Sequence, residues 1–367
     1  MFLCNLPTFF KKQKIIMSAE KQKRTELKDI GEFGLIDVLQ QDVKLYQEST
    51  KKGIGDDAAV IDASSEQTVV STDMLVEGIH FDLSYMPLKH LGYKAIAVNV
   101  SDIAAMNAVP RQVTVSIALS NRFSKEAVEE LYKGINIACE NYKVDLVGGD
   151  TTSSRSGLVI SVTAIGTAKE ENLAYRSGAK PGEILCVTGD LGGAYMGLQL
   201  LEREKQVYMS NPQAQPELKD QEYVVGRQLR PEARTDMVHE FKEYGIKPTS
   251  MIDISDGLAS EVMHICKNSE VGAVLYEEKF PVAEETLKAA MDFHIPSSTV
   301  VLNGGEDYEL LFTIKQEDYE KVKHNPNISF IGYILEKEKG TQLITKGKQV
   351  VPLQAQGWTH FKQSEDE

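Results

Sequence analysis

The chain has 367 residues, of which 42% are hydrophobic and 26% are charged, a composition typical of globular proteins with about two domains. Its formal net charge of −14 disfavours nucleic acid as the main partner and also disfavours an anionic membrane surface, because both select basic surfaces. An anionic small molecule stays a candidate partner if bound metal ions reverse the local charge.

The segment 1–28 has no clear apolar period and is rich in lysine, so we expect a mobile extension. No apolar run reaches the ~20 residues that a membrane helix needs. The short apolar run at the start precedes its lysines, the reverse of the order in a signal peptide. Met17 begins a segment that reads like an ordinary cytosolic amino terminus and is an alternative start.

Residues 29–168 are predicted to form an N-terminal α/β domain. Period-2 and helical apolar patterns alternate along this part of the chain. The predicted elements are a helix over 31–41, strands within 54–63 and 67–78, a long helix over 88–108 that Pro110 stops, a strand over 111–120, a helix over 124–142, a strand over 144–150 that enters a turn at its glycines, and a strand over 158–168.

Residues 169–361 are predicted to form a second, α+β domain, followed by a disordered tail over 362–367. Both domains repeat the order strand, glycine–acid turn, helix. The predicted elements are a strand over 183–190, a helix from 191, a loop with some helix over 202–222, a helix over 230–245, a strand and turn over 250–257, a helix over 258–269, and strands over 271–278, 308–314 and 328–334.

Cysteine and histidine spacing disfavours a zinc enzyme. The four cysteines, Cys4, Cys139, Cys186 and Cys266, are far apart in sequence, and the seven histidines include no HExxH pair. Isolated cysteines are typical of reduced thiols, which indicates a cytoplasmic location.

Six acidic or glycine-rich motifs carry the chemistry. Each places carboxylates beside glycine, serine or threonine, and clustered carboxylates need a counter-charge that Mg²⁺ supplies while bridging to phosphates. The motifs therefore predict a site for metal-bound phosphate. They are GIGDDAAV at 53–60, STDMLVEGIHF at 71–81, NVSDIAAM at 99–106, VGGDTT at 147–152, DISDGL at 253–258 and NGGEDYELLF at 303–312.

Several motif residues have definite expected positions. Asp102 lies inside an otherwise apolar helix, shares a face with Asn99, and costs free energy there unless it is paired or metal-bound. Side chains alternate along a strand, so Ser71 and Asp73 face one way and Thr72 the other. Ordinary turns and caps are the alternatives, and for Asp256 the alternative is the cap of the helix that follows.

Taken in this order and spacing, the six motifs resemble those of the thiamine-monophosphate kinase family, a relative of aminoimidazole ribonucleotide synthetase and selenophosphate synthetase. The resemblance covers about residues 30–361. It implies a two-domain aminoimidazole ribonucleotide synthetase-like fold, with an N-terminal domain that dimerises through its sheet. It also implies transfer of the ATP γ-phosphoryl group to thiamine monophosphate, giving thiamine diphosphate and ADP.

The resemblance assigns roles to motif residues. It implies Mg²⁺ ligands at Asp57, Ser71, Thr72, Asp73, Asp102, Asp150, Asp253 and Asp256. It implies ATP contacts at Gly149, Asp150, Arg176 and Ser255, and thiamine phosphate contacts at His80, Glu306 and Trp358. The alternative roles for His80 and Trp358 are a histidine at a strand end without a function and a tail residue that covers the core.

The chemistry agrees with these roles. In-line phosphoryl transfer depends on positioning and charge neutralisation, so several Mg²⁺ ions suit two anionic substrates. The acceptor phosphate is already ionised, so no residue is assigned as a general base. The chain departs from the family at Asn107, where glycine is usual; asparagine tolerates left-handed backbone, so we expect the helix end to be kept.

Two alternatives stay open at this stage. One is another ATP-using member of the superfamily, although Cys4 lacks the glycine-rich context of a selenophosphate synthetase and the chain ends in Ser-Glu-Asp-Glu rather than a cysteine tail. The other is a non-catalytic sensor of magnesium–nucleotide, which the full acidic set disfavours.

Overall fold

The computed structural model of the chain describes Thr25 and residues 38–52, 60–61 and 66–355. Several predictions therefore fall wholly or largely outside the described residues. They are the extension over 1–28 apart from Thr25, most of the helix over 31–41 and of the strand within 54–63, the metal ligand Asp57, the substrate contact Trp358, and the tail over 362–367.

The chain divides into two compact units. Unit 1 comprises Met1–Leu173 and Gly197–Thr235, and unit 2 comprises Ala174–Met196 and Asp236–Glu367. The sequence prediction placed residues 169–361 in the C-terminal domain, whereas this division groups Gly197–Thr235 with the first unit. The predicted domain boundaries themselves stay a prediction.

Unit 1 contains a four-stranded sheet in the order β3-β6-β4-β5. Strands β4 and β5 are parallel, and the other neighbours are antiparallel. The strands are β3 (Gln67–Val76), β4 (Val109–Leu119), β5 (Asp145–Ser153) and β6 (Leu158–Ala168). A short pair, β1 (Thr50–Lys52) and β2 (Val60–Ile61), precedes them.

Two helices cover one face of this sheet: α1 (Leu88–Ala105) and α2 (Lys125–Tyr142). Alternate residues of β6 are buried, as expected for a strand with one covered face. The helices pack closely because Gly92 and Gly134 lack side chains. A Cβ at Gly92 would lie 2.0 Å from the Leu131 carbonyl oxygen. The predicted α/β character of this region is confirmed.

The end of α1 follows the expectation for Asn107. The helix ends at Ala105, and Asn107 adopts φ = 54°, the left-handed conformation that asparagine tolerates. Pro110 does not stop the helix, because it already lies inside β4. The backbone reversal at Asn107 therefore ends α1, and the prediction that Pro110 ends it is wrong.

The predicted turn at Gly148 and Gly149 is also wrong, because β5 runs through both residues to Ser153. A Cβ at Gly149 would lie 1.9 Å from the Val115 carbonyl oxygen, whereas a Cβ at Gly148 would have no neighbour within 4 Å. Gly149 therefore permits close packing against β4, and glycine here marks a tight strand contact instead of a turn.

Unit 2 contains a seven-stranded sheet in the order β13-β12-β9-β11-β7-β10-β8. Only β12 and β9 pair in parallel among its neighbouring strands. The strands are β7 (Ile184–Thr188), β8 (Ser250–Asp253), β9 (Gly272–Tyr276), β10 (Leu310–Ile314), β11 (Ile328–Leu335), β12 (Thr341–Ile344) and β13 (Val350–Pro352).

The remaining helices complete the order of elements. The predicted helix from 191 extends further than expected, through Ser210, and the short elements after 280 were not predicted. The helices are α3 (Gly193–Ser210), α4 (Glu222–Leu229), α5 (Thr235–Glu243), α6 (Leu258–Ser269), α7 (Glu284–Asp292), α8 (Ser297–Asn303) and α9 (Tyr319–Val322).

A buried apolar cluster joins α6 and α8 to the sheet of unit 2 and includes Leu185, Ile252, Leu258 and Val301.

No helix in the described part of the chain is both long and apolar enough to cross a bilayer.

Candidate active site

Two acidic motifs and a third loop meet at one end of the strands of the unit 2 sheet. Strand β10 lies between β7 and β8 and is antiparallel to both. The carboxyl ends of β7 and β8 therefore lie beside the start of β10. The motif DISDGL leaves β8, the motif GGEDYE enters β10, and the loop GDLGG at 189–193 leaves β7.

The DISDGL loop presents three of the predicted site residues. Asp253 ends β8 and is buried, Ser255 is exposed, and Asp256 is half-buried. The residue at the N-cap of α6 is Gly257, with φ = 113°, so the alternative role of Asp256 as the helix cap is wrong. Gly257 also passes close to α8, since a Cβ there would lie 2.7 Å from the Leu302 carbonyl oxygen.

The GGEDYE turn is bonded directly to the DISDGL loop. The Glu306 N–H donates to the Ser255 carbonyl at 2.7 Å, and the Tyr308 N–H donates to the Ile254 carbonyl at 2.9 Å. Glu306 and Tyr308 both adopt left-handed backbone, with φ of 58° and 53°. Such conformations cost about 1–3 kcal/mol each and concentrate at functional sites. The two backbone hydrogen bonds join the DISDGL loop and the GGEDYE turn side by side.

Asp307, the middle residue of this turn, has a structural contact. Its buried carboxylate accepts hydrogen bonds from the Gly192 N–H at 2.7 Å and the Ala194 N–H at 3.4 Å, at the start of α3. The neighbouring Glu309 is also buried and accepts from the Thr188 hydroxyl at 2.6 Å. The acids of GGEDYE therefore differ in burial. Glu306 is half-buried, whereas Asp307 is bonded to the GDLGG loop and Glu309 is bonded to β7.

Glu261 is a buried acid that the sequence prediction missed. It is 1% exposed, and its Oε1 accepts from the Asp256 N–H at 3.0 Å and the Ser255 hydroxyl at 3.4 Å. Burial, together with the nearby Asp256 and Asp253 carboxylates, raises the pKa of Glu261 to about 8. The available signal was an acid on the apolar face of α6, the same signal that identified Asp102.

Arg176 lies in a segment that runs beside the edge strand β8. The Met251 N–H donates to the Tyr175 carbonyl at 2.9 Å, and the Ser250 hydroxyl donates to the Arg176 carbonyl at 2.9 Å. The Arg176 side chain is exposed. Burial lowers the pKa of the His264 imidazole, and the Arg176 charge lowers it further. The Arg176 charge is therefore close to α6, and its segment lies beside the edge strand β8.

In unit 1, hydrogen bonds join the predicted site residues of β3 to those of α1. The Ser71 hydroxyl donates to Asp102 Oδ2 at 2.6 Å. The Asp73 N–H donates to Asn99 Oδ1 at 3.0 Å, while the fully buried Asn99 donates from Nδ2 to the Ala95 carbonyl at 2.9 Å. The predicted shared face of Asn99 and Asp102, and the shared side of Ser71 and Asp73, are both confirmed.

Thr72 is directed away from this group. Its hydroxyl donates to the Val162 carbonyl at 3.0 Å and accepts from the Thr163 hydroxyl at 3.1 Å. The alternation along β3 explains the difference, because Ser71 and Asp73 face α1 and Thr72 lies on the opposite face of the sheet. The structure therefore does not place the Thr72 hydroxyl with the Asp73 and Asp102 carboxylates.

Asp150 is also separate from this group. It lies on β5, at the opposite edge of the sheet from β3, and three strand spacings amount to about 14 Å. The register aligns Asp150 with Ser116, Ser161 and Met74, on the face opposite to Asp73. Its exposed carboxylate accepts from the Thr151 N–H at 2.9 Å. Within unit 1, Asp150 therefore forms a distinct candidate contact.

His80 lies in the turn after β3. The ring Nδ1 accepts a hydrogen bond from the Val76 N–H at 3.0 Å, and the backbone N–H of His80 donates to the Val76 carbonyl at 2.9 Å. The bond at Nδ1 assigns the proton of the neutral ring to Nε2. His80 is thus oriented as a donor from Nε2.

The donor chemistry fits a hard divalent cation. The candidate ligands are carboxylate and hydroxyl oxygens, which Mg²⁺ prefers. Among the described residues, no three acids, histidines or cysteines are arranged to hold a metal ion by themselves. Sites with one or two carboxylates and remaining positions taken by water and phosphate are typical of Mg²⁺. The residues therefore fit Mg²⁺ bound together with substrate phosphates.

Comparisons with known proteins agree on one family. Residues 55–168 match the family described as AIR synthase related protein, N-terminal domain. A curated thiamine-monophosphate kinase from Bacillus subtilis is 36% identical over 325 residues, which cover 87% of this chain and 96% of that protein. The enzyme of the same name from Aquifex aeolicus is 36% identical over 337 residues, covering 91% of this chain and 99% of its own.

Solved structures give the same result. The structure of AaThiL complexed with AMPPCP and TMP has a TM-score of 0.68 and 34% identity, and it covers 93% of this chain and 100% of its own. A thiamine-monophosphate kinase from Stenotrophomonas maltophilia has a TM-score of 0.72 and 30% identity. The hydrogenase maturation protein HypE in complex with ATP, at 18% identity and a TM-score of 0.67, shares the fold. The predicted aminoimidazole ribonucleotide synthetase-like fold is thus confirmed.

Proposed function

The chain belongs to the thiamine-monophosphate kinase family, and we propose that it phosphorylates thiamine monophosphate with ATP in a reaction that requires Mg²⁺. The γ-phosphoryl group of ATP is transferred in line to thiamine monophosphate, and the products are thiamine diphosphate and ADP. The observation that carries the proposal is the paired geometry of β3 and α1, where Ser71 meets Asp102 and Asp73 meets Asn99.

The proposed reaction requires charge neutralisation and alignment. Both substrates are anions, and bound Mg²⁺ supplies the positive charge that lets their phosphates approach. The acceptor oxygen is ionised at neutral pH, so no residue needs to remove a proton. The chain's own contribution is to hold carboxylates at fixed positions, which it does with β3, α1 and the loop after β8.

The proposed metal ligands are the acids of β3, of α1 and of the loop at the end of β8. In unit 1 they are Asp73 and Asp102 with the Ser71 hydroxyl, and in unit 2 they are Asp253 and Asp256. The family resemblance adds further proposed ligands, which the structure leaves apart from these groups or does not describe: Asp57, Thr72 and Asp150.

The remaining proposed contacts recognise the two substrates. For ATP they are Gly149, Asp150, Arg176 and Ser255, of which Arg176 and Ser255 are exposed at the sheet edge of unit 2. For thiamine monophosphate they are His80, Glu306 and Trp358. His80 is suited to donate from Nε2 to a phosphate oxygen, and an aromatic ring such as Trp358 attracts the thiazolium cation.

The proposal includes a homodimer formed through the sheet of unit 1. The face of β3 opposite α1 carries exposed apolar side chains, with Val70 61% and Met74 57% exposed. Apolar surface of this kind favours association. Mass measurement by light scattering should give a dimer for the natural chain and a monomer for V70E/M74E. A natural chain that is monomeric would remove the dimer from the proposal.

The proposal also includes a cytoplasmic location. Cys139, Cys186 and Cys266 are free and buried, and burial raises the pKa of the Cys139 thiol to about 12. Such thiols stay reduced and unreactive, as in proteins of reducing compartments.

The test is the release of ADP by the purified chain with and without thiamine monophosphate, in Mg²⁺ and in EDTA. The proposal predicts release that requires both the acceptor and Mg²⁺. Release that requires Mg²⁺ and a different acceptor would indicate another activity of the superfamily. Nucleotide binding by calorimetry with no release for any acceptor would indicate a sensor of magnesium–nucleotide.

A further inference from the structure

A buried carboxylate outside the assigned site residues contacts the DISDGL loop. Glu261 lies in the first turn of α6, and the residue is 1% exposed. Its Oε1 accepts from the Asp256 N–H and from the Ser255 hydroxyl. Its Oε2 is buried and has no hydrogen-bond partner among the described residues. Burying a carboxylate with one unsatisfied oxygen is costly, so packing alone does not account for it.

The bond from Glu261 does not serve to cap α6. The helix begins after the N-cap Gly257, and Glu261 reaches back past that residue to the Asp256 N–H. The groups it holds therefore belong to the loop and not to the free N–H groups of the first helical turn. The effect of the contact is on the loop conformation.

The peptide between Ser255 and Asp256 is held at both ends. Its N–H donates to Glu261 Oε1 at 3.0 Å, and its carbonyl accepts from the Glu306 N–H at 2.7 Å. A rotation of this peptide plane would break both bonds. Fixing the plane also fixes the directions in which the Ser255 and Asp256 side chains leave the backbone.

We propose that Glu261 is a positioning residue, whose Oε1 holds the Ser255–Asp256 peptide so that the Ser255 hydroxyl and the Asp256 carboxylate face magnesium-bound nucleotide. The inference rests on the proposed function of those two residues. Without the contact, the Ser255–Asp256 peptide loses the bond at its N–H and keeps the one at its carbonyl, so the two side chains are no longer pre-oriented. Partners that orient metal ligands in this way typically change metal affinity or activity by about 10–100-fold when they are removed.

Three variants separate positioning from ionisation. Glu261→Gln keeps an oxygen acceptor of the same reach and cannot ionise. Glu261→Asp keeps a carboxyl group, but it is shorter by one methylene and does not reach the Asp256 N–H. Glu261→Ala removes both. The matched control is Glu183→Ala, because Glu183 is also buried in unit 2 and holds the Lys180 N–H at 2.8 Å and the Thr249 hydroxyl at 2.7 Å.

The measurements are the half-saturating Mg²⁺ concentration and KM for ATP in the kinase assay, together with the affinity of a fluorescent ATP analogue in Mg²⁺ and the melting temperature. We expect Glu261→Asp and Glu261→Ala to raise the Mg²⁺ and ATP values about tenfold or more. Glu261→Gln should stay within about threefold of the natural chain, and KM for thiamine monophosphate should change little. Glu183→Ala should lower only the melting temperature.

Each other outcome contradicts the inference. If Glu261→Gln is as impaired as Glu261→Ala, the charge is what matters and positioning is wrong. If Glu261→Asp and Glu183→Ala have equal effects, the role is structural; this pair decides the matter even if Glu261→Ala does not fold. The nucleotide-binding assay does not require turnover, so it reports on Glu261 even if the natural chain does not phosphorylate thiamine monophosphate.

Discussion

The two acid-bearing regions of the chain are held in different ways. In unit 1 the acids lie on a strand and a helix, and a neutral amide, Asn99, holds the Asp73 N–H. In unit 2 the acids lie at a strand end and in a loop, and a carboxylate, Glu261, holds the Asp256 N–H. The first arrangement takes its geometry mainly from sheet register. The second depends on side-chain contacts from α6 and from the GGEDYE turn.

The comparison indicates why the second region needs more support. A strand fixes every second side chain on one face through its ladder of backbone bonds. A loop has no such ladder, so single contacts carry its conformation. We therefore expect substitutions at Glu261 to change metal and nucleotide affinity, and substitutions in β3 and α1 to change turnover.

The largest expected effect is at Asp102. Asp102→Asn should lower kcat by about 100-fold or more with the fold intact, because one electrostatic stabiliser of the transferring phosphoryl group is lost. Steady-state kinetics and circular dichroism measure the two properties. Ser71→Ala removes the hydroxyl that donates to Asp102 but keeps the carboxylate, so its loss should be smaller. Near-normal turnover in Asp102→Asn would remove this residue from the metal site.

The next effect is at Asn99. Asn99→Ala leaves the Asp73 N–H without this acceptor, so kcat/KM should fall about tenfold and the free energy of unfolding by about 1–3 kcal/mol. Kinetics and urea unfolding measure both. Asn107→Gly is the matched control, since this amide is also beside α1 but its left-handed backbone suits glycine. Equal losses of kcat/KM in both variants would contradict a specific role for Asn99.

A smaller effect tests the strand reading of the GGDTT motif. Gly149→Ala should lower the free energy of unfolding by about 1–3 kcal/mol, because its Cβ would meet the Val115 carbonyl at 1.9 Å. Gly148→Ala should be tolerated, since a Cβ there has no neighbour within 4 Å. Thermal unfolding of the two variants gives the comparison. Equal stability would favour the turn that the sequence predicted.

The smallest expected effect is at Trp358, which is proposed to contact the ring of thiamine monophosphate, whereas the acidic regions are proposed to bind phosphates through Mg²⁺. Trp358→Ala should raise KM for thiamine monophosphate by a few-fold and leave KM for ATP nearly unchanged, because a stacked ring contributes about 1 kcal/mol. Initial rates at varied concentrations of each substrate measure the two constants. An equal rise in both would make Trp358 a structural residue.

The sequence predicted most of unit 1 because its signals are local. Alternation placed Ser71 and Asp73 on one side, and helical spacing placed Asn99 next to Asp102. The error at Gly149 has a physical cause. Glycine serves both tight turns and close strand contacts, and only the position of the Val115 carbonyl distinguishes them.

The structure of the second site depends on contacts that are distant in sequence. The bond between the Glu306 N–H and the Ser255 carbonyl joins residues about fifty positions apart, and spacing alone does not reveal it. Glu261 was detectable as an acid on an apolar helix face, as Asp102 was. Its partner, the Asp256 N–H, was not, because the contact depends on where α6 begins. The sequence left open a cap role for Asp256, and the structure gives that place to Gly257.

The most direct test of the central claim follows the γ-phosphoryl group itself. The purified chain is incubated with thiamine monophosphate, Mg²⁺ and ATP that carries a labelled γ-phosphate, and the thiamine products are separated. The account predicts label in the terminal phosphate of thiamine diphosphate, with one ADP formed for each product. Labelled inorganic phosphate with no labelled thiamine diphosphate, from protein that binds nucleotide, would contradict it.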